Sequence, residues 1–254
     1  MENSSLPVSV KHDSLLVECY NVLVKGGNVN IELGTKLFES PNLSGISALA
    51  HLIKKSRFSN YVYFNDNLHV NTTNICVLAC RFCAFRKGPR HNEAYALSVD
   101  EYLHRIKPYS EFIDEVHSVG GLHPDWTVEY YEELYRATKK IFPHIHIKSL
   151  TAVEVKHIAS RSGLNVEETL SRLKLAGLNS LPGGGAEILV DSVRDRICRG
   201  KESSDEYLSI HEIAHGLGIK SNCTMLFGTV ETVRERAIHL YKLRTQQEVS
   251  KGFQ

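Results

Sequence analysis

The chain has 254 residues, 42% hydrophobic and 23% charged, and 30 Lys and Arg against 29 Asp and Glu leave a formal net charge of +1. This composition excludes a disordered or collagen-like chain, and its length suits one α/β barrel of about 250 residues. The even charge balance offers no basic field for nucleic acid, and no apolar run reaches the ~18 residues of a membrane span, so no nucleic-acid or membrane partner is expected. Met1-Glu-Asn-Ser-Ser-Leu-Pro7 lacks a basic segment followed by an apolar one, so a cytoplasmic location is expected.

Residues 1–60 read as a helical N-terminal extension. Leu15, Leu16, Val17 and Val22 to Val24 form one apolar run that Gly26-Gly27 breaks, and Ile46, Leu49, Ala50 and Ile53 mark a second helix. From residue 61 to 254 the chain reads as a barrel core. Tyr61-Val-Tyr-Phe64 and Leu68-His-Val70 are strand-like, followed by strand candidates at 112–119, 144–150, 178–181 and 220–226.

Helix starts are marked by boxes pairing Ser98 with Glu101, Asn165 with Glu168, Ser203 with Glu206 and Thr232 with Glu235. The repeating unit is strand then helix, which favours a parallel sheet with right-handed crossovers, in a full or partial (β/α) TIM-like barrel. In such barrels chemistry collects at the C-terminal strand ends. Gly120-Gly121, Thr151-Ala-Val-Glu154 and Pro182-Gly-Gly-Gly-Ala-Glu187 are all expected there. No sequence repeat, low-complexity tract or linker is present.

Six cysteines are too few for a disulfide scaffold. Cys19, Cys198 and Cys223 stand apart, whereas Cys76, Cys80 and Cys83 form a C-x3-C-x2-C triplet after the first strand. A structural zinc needs four ligands, and no second pair occurs, although Cys198 or a histidine offers a fourth. Three clustered thiolates instead suit a 4Fe-4S cluster whose fourth iron takes a non-cysteine ligand. Metal-free thiols are the remaining reading, at the cost of an oxidation liability.

The triplet, with Phe82 before its last cysteine, resembles the signature of the radical S-adenosylmethionine (SAM) superfamily. Asn71-Thr-Thr-Asn-Ile-Cys76, Cys83-Ala-Phe-Arg86, Glu115-Val-His-Ser-Val-Gly-Gly-Leu-His-Pro-Asp125, Ile145-His-Ile-Lys148, Thr151-Ala-Val-Glu154, Leu178-Asn-Ser-Leu-Pro-Gly-Gly-Gly-Ala-Glu-Ile188 and Ser221-Asn-Cys-Thr-Met-Leu226 narrow this. Together they resemble the aminofutalosine synthase family of menaquinone biosynthesis, over residues 45–254.

The resemblance implies a 4Fe-4S cluster on Cys76, Cys80 and Cys83. It also implies SAM on the open iron, near Phe82, Gly120 and Gly121, with Glu154 and Glu187 binding SAM or orienting substrate. The implied reaction adds the 5′-deoxyadenosyl radical to 3-(1-carboxyvinyloxy)benzoate to form 6-amino-6-deoxyfutalosine, with flavodoxin or ferredoxin as electron donor. Arg86, Lys148 and Arg196 are candidate cations for the anionic substrate, and His123 and Asp125 candidate pocket residues, Asp125 being equally readable as a helix cap.

Against the family pattern, the chain stops at Gln254 at the start of a sixth strand, so either a truncated product or completion by a partner is expected. Cys223 replaces an expected small residue. A cyclic dehypoxanthinyl futalosine synthase-like enzyme and a non-catalytic cluster-binding fragment are the alternatives.

Overall fold

The protein is described here from a computed structural model covering residues 6–254. The first five residues of the expected extension lie outside the described residues. Two compact units result, one running to Phe64 and including Glu231–Tyr241, the other Asn65–Val230 with Lys242–Gln254.

In the first unit α1 (Val8–Lys11), α2 (Ser14–Val24), α3 (Ile31–Glu39) and α4 (Leu43–Phe58) enclose Val10, Leu16, Cys19, Tyr20, Leu33 and Leu49. Each of the longer helices begins at a side-chain cap. Asp13 accepts from the Leu15 and Leu16 amides, Asn30 from Leu33 and Asn42 from Gly45. The Asn42 amide group also donates to Ser9 O at 2.9 Å and to Asp13 Oδ2 at 2.8 Å, tying three helix starts together.

Tyr61–Phe64, expected as a strand, is irregular, with the four side chains 69–86% exposed. Strand propensity describes fit to a half-buried pleated surface, and these side chains have no such surface to pack on.

The second unit is built on five parallel strands in the order β1-β2-β3-β4-β5: β1 (Asn67–His69), β2 (Glu115–Ser118), β3 (His146–Ser149), β4 (Ser180–Leu181) and β5 (Lys220–Ser221). Between them run α5 (Val99–Ile106), α6 (Val128–Ile141), α7 (Ala152–Ser162), α8 (Val166–Ala176), α9 (Asp191–Ile197) and α10 (Ser204–Gly216). Sequential order with right-handed crossovers puts the helices on one face, as in a barrel wall. Ser221 further bridges Phe253 in parallel, its amide donating to Gly252 O and its carbonyl accepting from Gln254 N. The last helix, α11 (Val233–Ser250), begins in the first unit and ends in the second.

All four boxes read from the sequence form, and Thr151 with Glu154 makes a fifth. The ladders are shorter than the strand-like runs. Between β4 and β5 this follows from Pro182, which lacks an N–H, and from Gly183, where an added Cβ would sit 2.5 Å from Cys223 Cα. Val116 of β2 and Ile147 of β3 are fully buried in one core with Tyr131, Leu134, Val155 and Leu170 of the covering helices. No helix among the described residues is long and apolar enough to cross a membrane.

Truncating Ile147 to alanine at the centre of this core should lower the unfolding free energy by about 2–5 kcal/mol, measured by urea unfolding.

Candidate metal and cofactor site

The triplet lies in the long loop after β1, and the residues before it act as its anchor. Thr73 and Asn74 are buried and crosslink the loop to its own return: Thr73 Oγ1 donates to Tyr95 O at 2.6 Å, and Asn74 exchanges bonds with Tyr95 N and Glu93 O at 2.8 and 2.9 Å. Cys76 N donates to Lys87 O, Arg81 N to Ile197 O, and Cys83 N to Cys80 O. The Asn71-Thr-Thr-Asn motif thus places the cysteines without contributing a thiol.

Cys76, Cys80 and Cys83 share one cavity of about 170 Å³. Its walls also include Phe82, Arg86, Gly120, Gly121, Glu154 and Lys201. The thiols surround space rather than converge. Among the described residues no three His, Cys, Asp or Glu groups meet as a single-ion site requires. Burial pushes the Cys80 thiol up, Lys201 opposes this, and Glu187 and the other two thiols add to it.

The turn after β2 forms the facing wall. A Cβ on Gly121 would run into the Ile75 carbonyl and come 3.0 Å from Cys76 Cβ, and one on Gly120 would stand 2.9 Å from Thr72 Oγ1. Glycine is required here for close approach of backbone to backbone. Gly121 N donates to Thr73 O at 2.8 Å and Val77 N to Leu122 O at 3.1 Å.

Glu154, expected at the C-terminal end of the third strand, sits in the first turn of α7, directly after β3. Its Oε2 accepts from Thr151 N and Oγ1 at 2.8 and 2.7 Å, and its Oε1 from Gly120 N at 2.8 Å. Thr-Ala-Val-Glu is a capping box that starts α7 directly after β3.

Glu187 is buried in a left-handed conformation (φ 47°) and outside the cavity lining. Its Oε1 lies 2.5 Å from Lys201 Nζ, which reaches the cavity and stands 5.7 Å from the Phe82 ring centre. Burial works against the Lys201 ammonium, but Glu187 reverses the effect and holds its pKa above the ordinary value. Sequence reasoning missed Lys201, because Arg199-Gly-Lys-Glu202 carries only the signal of a charged turn. Arg194, also buried, binds Glu202 and the carbonyls of Gly185 and Ala186, fixing the glycine loop.

Of the other candidates, Arg86 lines the cavity and donates through Nε to Cys76 O at 3.3 Å. Lys148 is on β3, paired with Glu115, and Arg196 is exposed on α9. His123 stacks on Trp126. Asp125 precedes the α6 cap residue, Thr127. Cys198 is buried against Ile188, Val193 and Ile197, with Cys80 packed on this cluster, and Cys223 is exposed.

The Radical SAM superfamily profile matches residues 70–241. The chain belongs to that superfamily. It is 37% identical over 242 residues to an aminodeoxyfutalosine synthase of Thermus thermophilus, with 95% of this chain and 65% of that protein covered. It is 40% identical over 233 residues to a cyclic dehypoxanthine futalosine synthase of Streptomyces coelicolor, covering 90% and 58%. A 5-amino-6-(D-ribitylamino)uracil–L-tyrosine 4-hydroxyphenyl transferase of Methanopyrus kandleri is 38% identical over 243 residues, covering 93% and 64%. The chain therefore spans roughly three fifths of the length of these relatives. In fold it resembles the FeFe-hydrogenase maturase HydG of Carboxydothermus hydrogenoformans, with a TM-score of 0.67 and 18% identity over 92% of this chain and 54% of that one.

Radical SAM proteins work with a 4Fe-4S cluster and SAM, and the residues present suit both groups. Three thiols face one cavity, the opposite wall is bare glycine backbone, and Lys201 supplies positive charge beside the sulfur donors.

Replacing Gly121 with alanine should push Cys76 out of place, lower thermal stability by about 1–3 kcal/mol and remove most of the iron bound on anaerobic reconstitution. The Glu154 carboxyl has a second measurable consequence. Burial raises its pKa to about 7 against the pull of Thr151 and Gly120. The native chain then holds one more proton than the unfolded chain between about pH 4.5 and 7, so stability falls as pH rises through that window. Relative to Glu154→Gln, the cluster-free chain should lose on the order of 3 kcal/mol across it, read by urea unfolding below and above the window.

Proposed function

We propose that this chain serves menaquinone biosynthesis as a radical SAM transferase, joining the 5′-deoxyadenosyl group of SAM to 3-(1-carboxyvinyloxy)benzoate, with migration of the aryl group and loss of the enol-ether carboxylate carbon, to form 6-amino-6-deoxyfutalosine. The observation that carries the reading is the cavity in which Cys76, Cys80 and Cys83 face Gly120 and Gly121. The likeness to the aminodeoxyfutalosine synthase and the Gly120-Gly-Leu-His-Pro and Thr151-Ala-Val-Glu154 motifs favour this substrate.

Cys76, Cys80 and Cys83 would hold the cluster, leaving one iron for SAM. When bound, the cluster supplies the electron that opens SAM to the 5′-deoxyadenosyl radical. Gly120 and Gly121 would let backbone come close to SAM, and Phe82, which lines the same cavity, would offer its adenine an apolar face. Glu154 orients the wall by holding the Gly120 amide. Glu187 acts through Lys201, whose ammonium it positions at the cavity. Arg86 offers a cation at the same wall. A small one-electron donor, flavodoxin or ferredoxin, would deliver the electron.

The shared cysteine loop and Pro182-Gly-Gly-Gly-Ala-Glu187 stretch favour a second reading, cyclisation of dehypoxanthinyl futalosine. Anaerobically reconstituted chain, given SAM and reductant, should form the adenosyl adduct with the benzoate substrate and leave dehypoxanthinyl futalosine unchanged. The reverse pattern would select the cyclase, and absence of SAM cleavage by iron-loaded chain would select a non-catalytic cluster-binding fragment. Cys80→Ala should lose most of the iron and all SAM cleavage, measured by iron assay and by chromatography of 5′-deoxyadenosine.

A further inference from the structure

The sheet of the second unit carries polar side chains where a barrel interior ordinarily packs branched aliphatics in layers. Val116 and Ile147 are fully buried against the helices, so alternation sends Glu115, His117, His146 and Lys148 to the opposite, inner face. Register sets His69 beside His117, His117 beside Lys148, and Lys148 beside Ser180. The side chains meet accordingly: the His69 and His117 rings are 4.9 Å apart, Lys148 Nζ is 2.9 Å from Glu115 Oε2, and His146 Nε2 is 2.7 Å from Ser180 Oγ.

This strip continues the cavity. Val119, two residues beyond His117, lines the same wall as the cysteines, and two strand residues span about 6.6 Å. A ligand occupying the cavity therefore reaches the strip with a group roughly one aromatic ring away from its reacting atoms.

The charges define what that group is. The Lys148 and Glu115 side chains are only 15% and 8% exposed, and their charges cancel. Burial, aided by neighbouring positive groups and opposed by Glu115, lowers the pKa of His117 and His146, which favours neutral rings able to donate one hydrogen bond each. An ammonium has three donors, so Lys148 can hold Glu115 and a second acceptor together. With no net positive charge, the strip suits a singly charged carboxylate better than a doubly charged phosphate.

We propose that the strip is the floor of the substrate site, Lys148 and His117 donating to the ring carboxylate of an aromatic substrate while Glu115 positions Lys148. The inference rests on the carboxyvinyloxybenzoate reading, in which the vinyl group reacts in the cavity and the ring carboxylate is the far end of the molecule.

Binding without turnover tests it. The full chain is reconstituted with its cluster, loaded with S-adenosylhomocysteine in place of SAM, and titrated calorimetrically with 3-(1-carboxyvinyloxy)benzoate and with the analogue whose ring carboxylate is a carboxamide. The wild-type chain should favour the carboxylate by about tenfold or more. Lys148→Gln and His117→Asn should each abolish that preference by weakening the carboxylate ligand alone, and Lys148→Arg should restore part of it. Variants that keep the wild-type preference, or that weaken both ligands equally, would overturn the proposal. If Lys148→Gln fails to fold, judged by its thermal melt, His117→Asn and the wild-type preference decide, and a wild-type chain with no preference overturns it. A wild-type chain that binds neither ligand overturns the substrate reading along with this one, whereas wild-type binding with unaffected variants overturns this one alone.

Discussion

The loop that carries the thiols and the turn after β2 lie backbone against backbone, and the site depends on that contact. Gly121 N reaches Thr73 O, Val77 N reaches Leu122 O, and no side chain separates them. A single Cβ at Gly121 would open the seam and displace Cys76. Glu154 locks the same seam from beneath, since it caps α7 and accepts from Gly120 with one carboxylate. Donor geometry, glycine wall and helix start are therefore one mechanical unit rather than three features.

Charge is arranged around the cavity in buried pairs. Lys201 with Glu187 and Arg194 with Glu202 bring segments near the glycine loop into register with the turn after α9. Removing one partner of such a pair typically costs about 3–5 kcal/mol, because the other charge is left buried. Their use here is positional: Lys201 is held beside Cys80, where electron-rich sulfur benefits from a cation. The left-handed backbone at Glu187 is maintained by this pairing and by the Arg194 bonds to the two residues before it.

Much of the site's chemistry was legible because it is local. C-x3-C-x2-C, the glycine pairs and the capping boxes are short-range patterns whose physical demands fall within a few residues. Misreadings arose where local preference met tertiary context. Tyr61–Phe64 has strand composition and no pleated surface to join. The short β4 and β5 ladders likewise reflect Pro182 and the crowding of Gly183 on Cys223, which apolar runs do not encode.

By itself the sequence determined which atoms are available, three thiols, a glycine pair and an alternation of strand and helix, since each follows from neighbours along the chain. Only the tertiary structure decided that Lys201 reaches the cavity while Glu187 stays behind it, and that His69, His117, Lys148 and Ser180 form one row. Such groupings join residues scores of positions apart through strand register and helix packing, and no window of sequence contains those distances.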